Sequence, residues 1–219
     1  MFLQIENVLE PQEVQTVAEI ARQAKFVDGK LSNPHSVAKN NVIGDAGDPL
    51  ARQASQIALA ALQRCEEARD FVFPLRVAVP TLARYEPGMK YGAHVDVPFL
   101  SVAPPLRSDV SCTIFISSPA DYEGGELLIH LGTEIVRIKG KAGSAVFYPS
   151  THIHQVVPVT AGARLVLITF IESQIPDAAQ RDLLYALGEL RAAEGLKMDW
   201  RNRTQLEYVI ANLVRMWSR

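Results

Sequence analysis

An imidazole and a carboxylate stand two residues apart at the end of the stretch Arg84-Tyr85-Glu86-Pro87-Gly88-Met89-Lys90-Tyr91-Gly92-Ala93-His94-Val95-Asp96. On an extended chain, positions i and i+2 point to the same face, so His94 and Asp96 would converge on one point. A neutral imidazole nitrogen and a carboxylate oxygen are two parts of a mixed N/O donor set. Iron(II) centres that use dioxygen take two histidines and one carboxylate on one triangular face and leave the remaining positions open. A His-x-Asp triplet arises by chance in many chains, so this chemistry depends on a third ligand from elsewhere.

The stretch Tyr148-Pro149-Ser150-Thr151-His152-Ile153-His154-Gln155-Val156-Val157-Pro158-Val159-Thr160-Ala161-Gly162-Ala163-Arg164 offers one. His154 begins one apolar run and Arg164 begins the next, with Thr160-Ala161-Gly162 as the turn between them. A three-residue turn sets Val159 opposite Ala163 and Pro158 opposite Arg164, on the face that carries His154. The two would lie roughly 13 Å apart at about 3.3 Å per residue, and a guanidinium reaches back across much of that gap. The rest fits a dicarboxylate that chelates a metal through its 2-oxo-acid end while a planar, bidentate donor grips its far carboxylate. The spacing therefore predicts a 2-oxoglutarate site, with His94, Asp96 and His154 on iron and Arg164 on the co-substrate. His152 and His130 compete as third ligand. His152 sits at the change of direction around Pro149-Ser150-Thr151, and His130 ends a strand as a rim residue. His35 lies in a polar connection with no nameable partner.

Such a site needs paired strands, and the middle of the chain supplies them. Between residues 74 and 173, short runs rich in Val, Ile, Thr, Phe and Leu recur between prolines and glycines: Arg76–Tyr85, Asp109–Ser117, Gly125–His130, Glu134–Lys139, Ser144–Tyr148, Gln155–Val159 and Ala163–Glu172. Many short strands without alternating helices predict a sandwich or barrel rather than a doubly wound sheet. Residues 1–73 read as a helical support region. Pro11 opens one helix, a second follows Asp48-Pro49, and Phe26 to Gly47 is a long connection. Residues 174–219 read as a helical extension, with one helix from Pro176 to a stop at Gly195 and a last one carrying Leu206, Val209, Ile210, Leu213 and Trp217. These apolar stripes pack on the sheets or, alternatively, form the seam of a homodimer through the C-terminal helices.

The chain resembles the PKHD-type hydroxylases, a bacterial branch of the prolyl 4-hydroxylase-like dioxygenases. The resemblance runs nearly end to end, through Asn7-Val8-Leu9, Arg84-Tyr85 and Gly88 ahead of His-x-Asp, Asp121-Tyr122-Glu123-Gly124-Gly125-Glu126-Leu127, Tyr148-Pro149-Ser150, the His154/Arg164 pair and Asn212-Leu213-Val214-Arg215-Met216-Trp217. It implies an α+β fold, a double-stranded β-helix (jelly-roll) core with flanking helices. It also implies one Fe(II), 2-oxoglutarate as co-substrate, and ascorbate as the reductant that sustains activity. It further suggests that the Tyr85 hydroxyl donates to the co-substrate; the alternative for Tyr85 is an aromatic packing residue. The reaction implied is hydroxylation of a small-molecule or peptidyl substrate with release of succinate and carbon dioxide. Val97 departs from the family pattern, which usually has Asn there. It opens the apolar, proline-containing run 97–108, which is expected to lie beside the metal as a lid or a packed loop, with Arg107 placed to meet an anionic substrate.

Composition narrows the rest. A chain of 219 residues, 48% hydrophobic and 21% charged, is an ordinary globular balance, and at this size roughly 70% of the unfolded surface is buried without help from a metal. A net charge of −2 with no basic run argues against nucleic acid as a partner. Cys65 and Cys112 form no paired motif and read as reduced thiols. With no signal-peptide pattern and no membrane-length apolar stretch, the expected place of work is the cytoplasm. Two rival functions remain. One is a zinc hydrolase, for which Glu86 or Glu123 would have to act as base outside any HExxH spacing. The other is a non-catalytic jelly-roll module that binds a ligand or a protein.

Overall fold

A computed structural model of the protein describes residues 1–33 and 37–219; His35 lies outside the described residues. The long strand Arg164–Ser173 organises the molecule because its side chains alternate. Leu165, Leu167 and Ile171 point to one face of the sheet and Val166 to the other, as the two-residue period of a strand dictates. It lies inside an eight-stranded antiparallel sheet that runs Leu3–Ile5, Ala145–Pro149, Val110–Phe115, Arg164–Ser173, Thr81–Tyr85, Val42–Gly44 and Phe26–Asp28, with Pro74–Val77 also paired to Arg164–Ser173. A second antiparallel sheet of five strands runs Glu134–Ile138, Leu127–Leu131, His154–Val156, Lys90–His94 and Lys39–Asn40.

The main sheet is apolar on both faces, so both must be covered. Its outer face meets three helices, α1 (Pro11–Gln23), α2 (Pro49–Arg64) and α3 (Glu66–Val72), through Val17, Ile20, Ala58, Leu62, Phe71 and Val72. Its inner face meets the second sheet, with Ala83, Phe115, Val146, Tyr148 and Val166 packed on Leu127, Ile129, Ile138 and Val156. This is the α+β jelly roll that the resemblance implies. Two further helices, α4 (Ala178–Glu194) and α5 (Trp200–Trp217), follow the core. Helices α2, α4 and α5 each start on an aspartate that accepts from one of the free amide groups. The Asp48 carboxylate accepts from Leu50 N at 3.3 Å, Asp177 from Gln180 N at 2.9 Å and Asp199 from Arg201 N at 2.6 Å. Glu13 reaches back to the amide of Glu10 at 2.8 Å.

Several expectations need correction. The segment Phe26 to Gly47 is more than a connection. It supplies the last two strands at one side of the main sheet, and Lys39–Asn40 to the second. Strands of two or three residues are too short to show alternation, and the intervening turn residues dominate the pattern. The run Arg76–Tyr85 is two strands, Pro74–Val77 and Thr81–Tyr85, laid along the same neighbour with Pro80 between them. The run Gln155–Val159 also divides. His154–Val156 lies in the second sheet, whereas Val159–Gly162 pairs with Tyr122–Gly124. The helix expected from Pro176 begins at Ala178, after its Asp177 cap. The prolines of 97–108 do not prevent pairing, because Phe99–Leu100 and Leu106–Arg107 form a small ribbon with Pro104 and Pro105 between its strands.

Candidate active site

The second sheet brings the two histidines together. Lys90–His94 and His154–Val156 are hydrogen-bonded neighbours with His94 and His154 directly opposite, and Asp96 follows His94 just past the strand's end. His94 Nε2 is 3.8 Å from Asp96 Oδ1 and His154 Nε2 is 3.5 Å from Asp96 Oδ2. Donor atoms about 2.1 Å from one metal ion and at right angles to each other are about 3 Å apart, so the three side chains need only a slight contraction to share an ion. They form the potential metal-binding cluster found among the described residues.

Each imidazole is held in one tautomer. His94 Nδ1 lies 2.8 Å from the Gly92 carbonyl oxygen and His154 Nδ1 lies 3.0 Å from that of His152. A carbonyl only accepts, so the ring proton sits on Nδ1 and the Nε2 lone pair faces the other ligands. Burial, with the neighbouring His154 next, lowers the His94 pKa to about 4, so its ring is neutral near pH 7 and able to ligate. Tyr91 stacks on it at 3.6 Å between ring centroids. The carboxylate is restrained as well: Ser111 Oγ donates to Asp96 Oδ2 at 2.5 Å and lies 2.7 Å from Ser150 Oγ. Ser111 was not singled out from the sequence. The signal for it is the placing of Ser111 and Thr113 at alternate positions between Val110, Cys112 and Ile114, which turns two polar side chains inward on a fully buried strand.

The main sheet supplies the other half. Arg164 is 1% exposed and pairs in register with Tyr85, which is wholly buried. Its guanidinium carbon lies 5.1 Å from the Tyr85 ring centroid and 5.7 Å from that of Phe115. Its Nε and Nη1, the Tyr85 hydroxyl and the Tyr122 hydroxyl are all buried without a hydrogen-bond partner among the described residues. An unpaired buried cation costs several kcal/mol. A site so built fits an anion with two acceptor oxygens. Gly125 makes room for the Arg164 side chain: a Cβ there would lie 3.1 Å from Arg164 Cδ and 2.9 Å from Val159 Cγ2, at a φ of +68° that side chains rarely adopt. Burial raises the Tyr85 hydroxyl to a pKa of about 12, against the pull of Arg164, so it remains a donor.

The hairpin expected to join His154 to Arg164 does not exist. The two residues belong to facing sheets, and Arg164 approaches the interior from the wall opposite the histidines. Of the competing histidines, His152 contributes its carbonyl and His130 lies on Leu127–Leu131; neither belongs to the metal cluster. Other basic groups are committed elsewhere. Lys139 Nζ donates to the Tyr122 carbonyl at 2.6 Å, and Arg137 is an exposed partner of Glu126 at 3.7 Å. Arg107 is not available to an anionic substrate, because it donates to Asp109 at 2.8 Å and to the Ser173 carbonyl at 3.0 Å. Glu86 pairs with Arg84 at 3.1 Å and Glu123 is exposed, so neither stands as a base beside the cluster.

Facing antiparallel sheets with a His/Asp/His cluster on one wall and a buried arginine on the other define a 2-oxoglutarate- and Fe(II)-dependent oxygenase. Residues 80–172 match the family model of the 2OG-Fe(II) oxygenase superfamily. The chain is 48% identical over 208 residues to a PKHD-type hydroxylase of Sphingopyxis alaskensis, covering 94% of each protein. It is 37% identical to a PKHD-type hydroxylase of Paraburkholderia phytofirmans over 100% of this chain and 99% of that one. The chain belongs to the PKHD-type hydroxylases and is a 2-oxoglutarate-dependent dioxygenase. Among solved structures, a prolyl-4-hydroxylase of Pseudomonas putida shares the fold with a TM-score of 0.55 at 22% identity, over 78% of this chain and 92% of that one.

Proposed function

We propose that His94, Asp96 and His154 hold Fe(II), that Arg164 and Tyr85 grip the far carboxylate of 2-oxoglutarate, and that the enzyme hydroxylates a small-molecule or peptidyl substrate. The observation that carries this reading is the unpaired Arg164 guanidinium, buried in the same interior as the His/Asp/His cluster. A bound Fe(II) supplies the centre at which 2-oxoglutarate and dioxygen react to give succinate, carbon dioxide and a hydroxylated product. The chain's own part is positioning. The carbonyls of Gly92 and His152 keep both Nδ1 protons outward. Ser111 limits rotation of the Asp96 carboxylate, and the packed inner faces of the two sheets keep bulk water from the chamber. Asp96 also argues against a halogenating reaction, because its carboxylate would fill the position a halide needs.

The same reading makes ascorbate the reductant that keeps the iron in its working state and the cytoplasm the place of work. It also includes self-association through the exposed apolar side chains Leu183 and Leu190 of α4 and Tyr208 and Met216 of α5, which sedimentation of the purified protein would detect. The function is tested by incubating the Fe(II)-loaded enzyme with 2-oxoglutarate, ascorbate and fractionated metabolite or peptide pools while succinate is measured. Iron-dependent, fraction-stimulated succinate release is expected. Equal release with Zn(II), or by Asp96→Ala without added halide, would overturn the assignment.

A further inference from the structure

Asn41 is 4% exposed, yet neither its Oδ1 nor its Nδ2 has a hydrogen-bond partner among the described residues. It occupies the one-residue crossing between Lys39–Asn40 of the second sheet and Val42–Gly44 of the main sheet. Its neighbours on one side therefore pair with Lys90 and Tyr91, ahead of His94. On the other side they pair with Ala83 and Arg84, ahead of Tyr85. The backbone at this crossing is held, because Gly29 N donates to the Asn41 carbonyl at 2.9 Å. The side chain is held too: a Cβ at residue 29 would lie 2.0 Å from Asn41 Oδ1, so only glycine leaves space for it. Oδ1 meets the Gly29 Cα–H there, a weak acceptor's contact.

A primary amide can make four hydrogen bonds, and packing one in place with none satisfied is costly unless a ligand completes it. The company it keeps identifies that ligand. The Asn41 amide faces the Tyr85 hydroxyl without forming a well-shaped hydrogen bond, and Tyr85 packs against the Arg164 guanidinium. The unsatisfied groups in this corner are a cation, hydroxyls and an amide, and no side-chain carboxylate is among them. Resting on the co-substrate reading above, we propose that Asn41 is a third anchor of 2-oxoglutarate, its Nδ2–H donating to the carboxylate that Arg164 and Tyr85 hold. The second Nδ2 hydrogen faces the Tyr85 oxygen, which leaves the tyrosine O–H to donate to that carboxylate.

The test is a calorimetric titration of 2-oxoglutarate into the full-length, Mn(II)-loaded protein, with Mn(II) affinity and the thermal midpoint measured alongside. Asn41→Ala should raise the 2-oxoglutarate Kd about tenfold, the loss of one hydrogen bond to a charged group. Asn41→Asp keeps the shape but replaces a donor with a like charge, and its Kd should rise further still. Mn(II) affinity should stay unchanged in both. If Asn41→Asp does not fold, Asn41→Ala carries the test. A variant that melts earlier but binds 2-oxoglutarate as tightly as the native protein would make Asn41 purely structural and overturn the proposal. Arg164→Met, titrated in parallel, separates the two levels: unchanged binding there sinks the co-substrate site itself, whereas weakened binding there with normal binding in both Asn41 variants sinks only the role of Asn41.

Discussion

The two faces of the main sheet do different jobs. On its outer face, the sheet and α1 to α3 bury an apolar cluster, and three buried polar side chains near it find partners. Ser55 donates to the Pro80 carbonyl, Ser173 to that of Val72, and Arg181 to those of Ile175 and Pro176. The inner face is also buried but encloses Asn41, Tyr85, Tyr122 and Arg164 with polar atoms that lack a partner among the described residues. The outer layer obeys the rules of a stable core. The inner layer violates them around Arg164, and such violations mark functional sites. Stability and chemistry are therefore separable across a single sheet.

Substitutions on the two faces should fail in opposite ways. Asp96→Ala should abolish 2-oxoglutarate turnover while leaving the denaturation midpoint of the metal-free protein nearly unchanged, since Asp96 belongs to neither apolar cluster. Leu167→Ala, on the outer face and fully buried, should cost about 2–5 kcal/mol of unfolding free energy. In the surviving folded fraction, measured by urea titration alongside kinetics, the 2-oxoglutarate KM should hold. Arg164→Met should reverse that pattern. The KM should rise by an amount on the order of 2–5 kcal/mol, with metal-free stability unchanged or higher because an uncompensated buried charge is gone. A loss of stability there as large as for Leu167→Ala would erase the distinction between the faces. A smaller effect is expected of Ser111→Ala, which frees the Asp96 carboxylate and should weaken metal binding about tenfold, as read from competition with a chelating dye.

The sequence made the His/Asp/His cluster legible because its information is local. His94 and Asp96 are set by a two-residue period, and His154 opens an apolar run. Arg164 was singled out through a hairpin that the fold does not contain. The sequence shows only its nearest turn, and the choice of partner strand depends on packing far along the chain, where Arg164 meets Tyr85 rather than Pro158. Ser111 and Asn41 were missed for opposite reasons. Ser111 hides in an apolar strand, whereas Asn41 stands among Asn, Gly and Asp residues whose usual role is to turn the chain. The rim run 97–108 was legible as apolar and close to the metal ligands, but not as a paired ribbon. Its clamp, Arg76 donating to the Pro104 carbonyl at 3.1 Å and to Glu172 at 2.6 Å, joins residues distant in sequence.

On the proposed reading, two facing sheets grip a single dicarboxylate, one through a metal and the other through an arginine. A crystal structure of the enzyme grown anaerobically with Mn(II) and 2-oxoglutarate tests it most directly. The expected result is one ion bound by His94 Nε2, His154 Nε2 and an Asp96 oxygen, with the 2-oxo-acid end of the ligand on that ion and its far carboxylate against the Arg164 guanidinium. An ion held by other residues, or a ligand that reaches the metal while Arg164 stays unpaired, would contradict it.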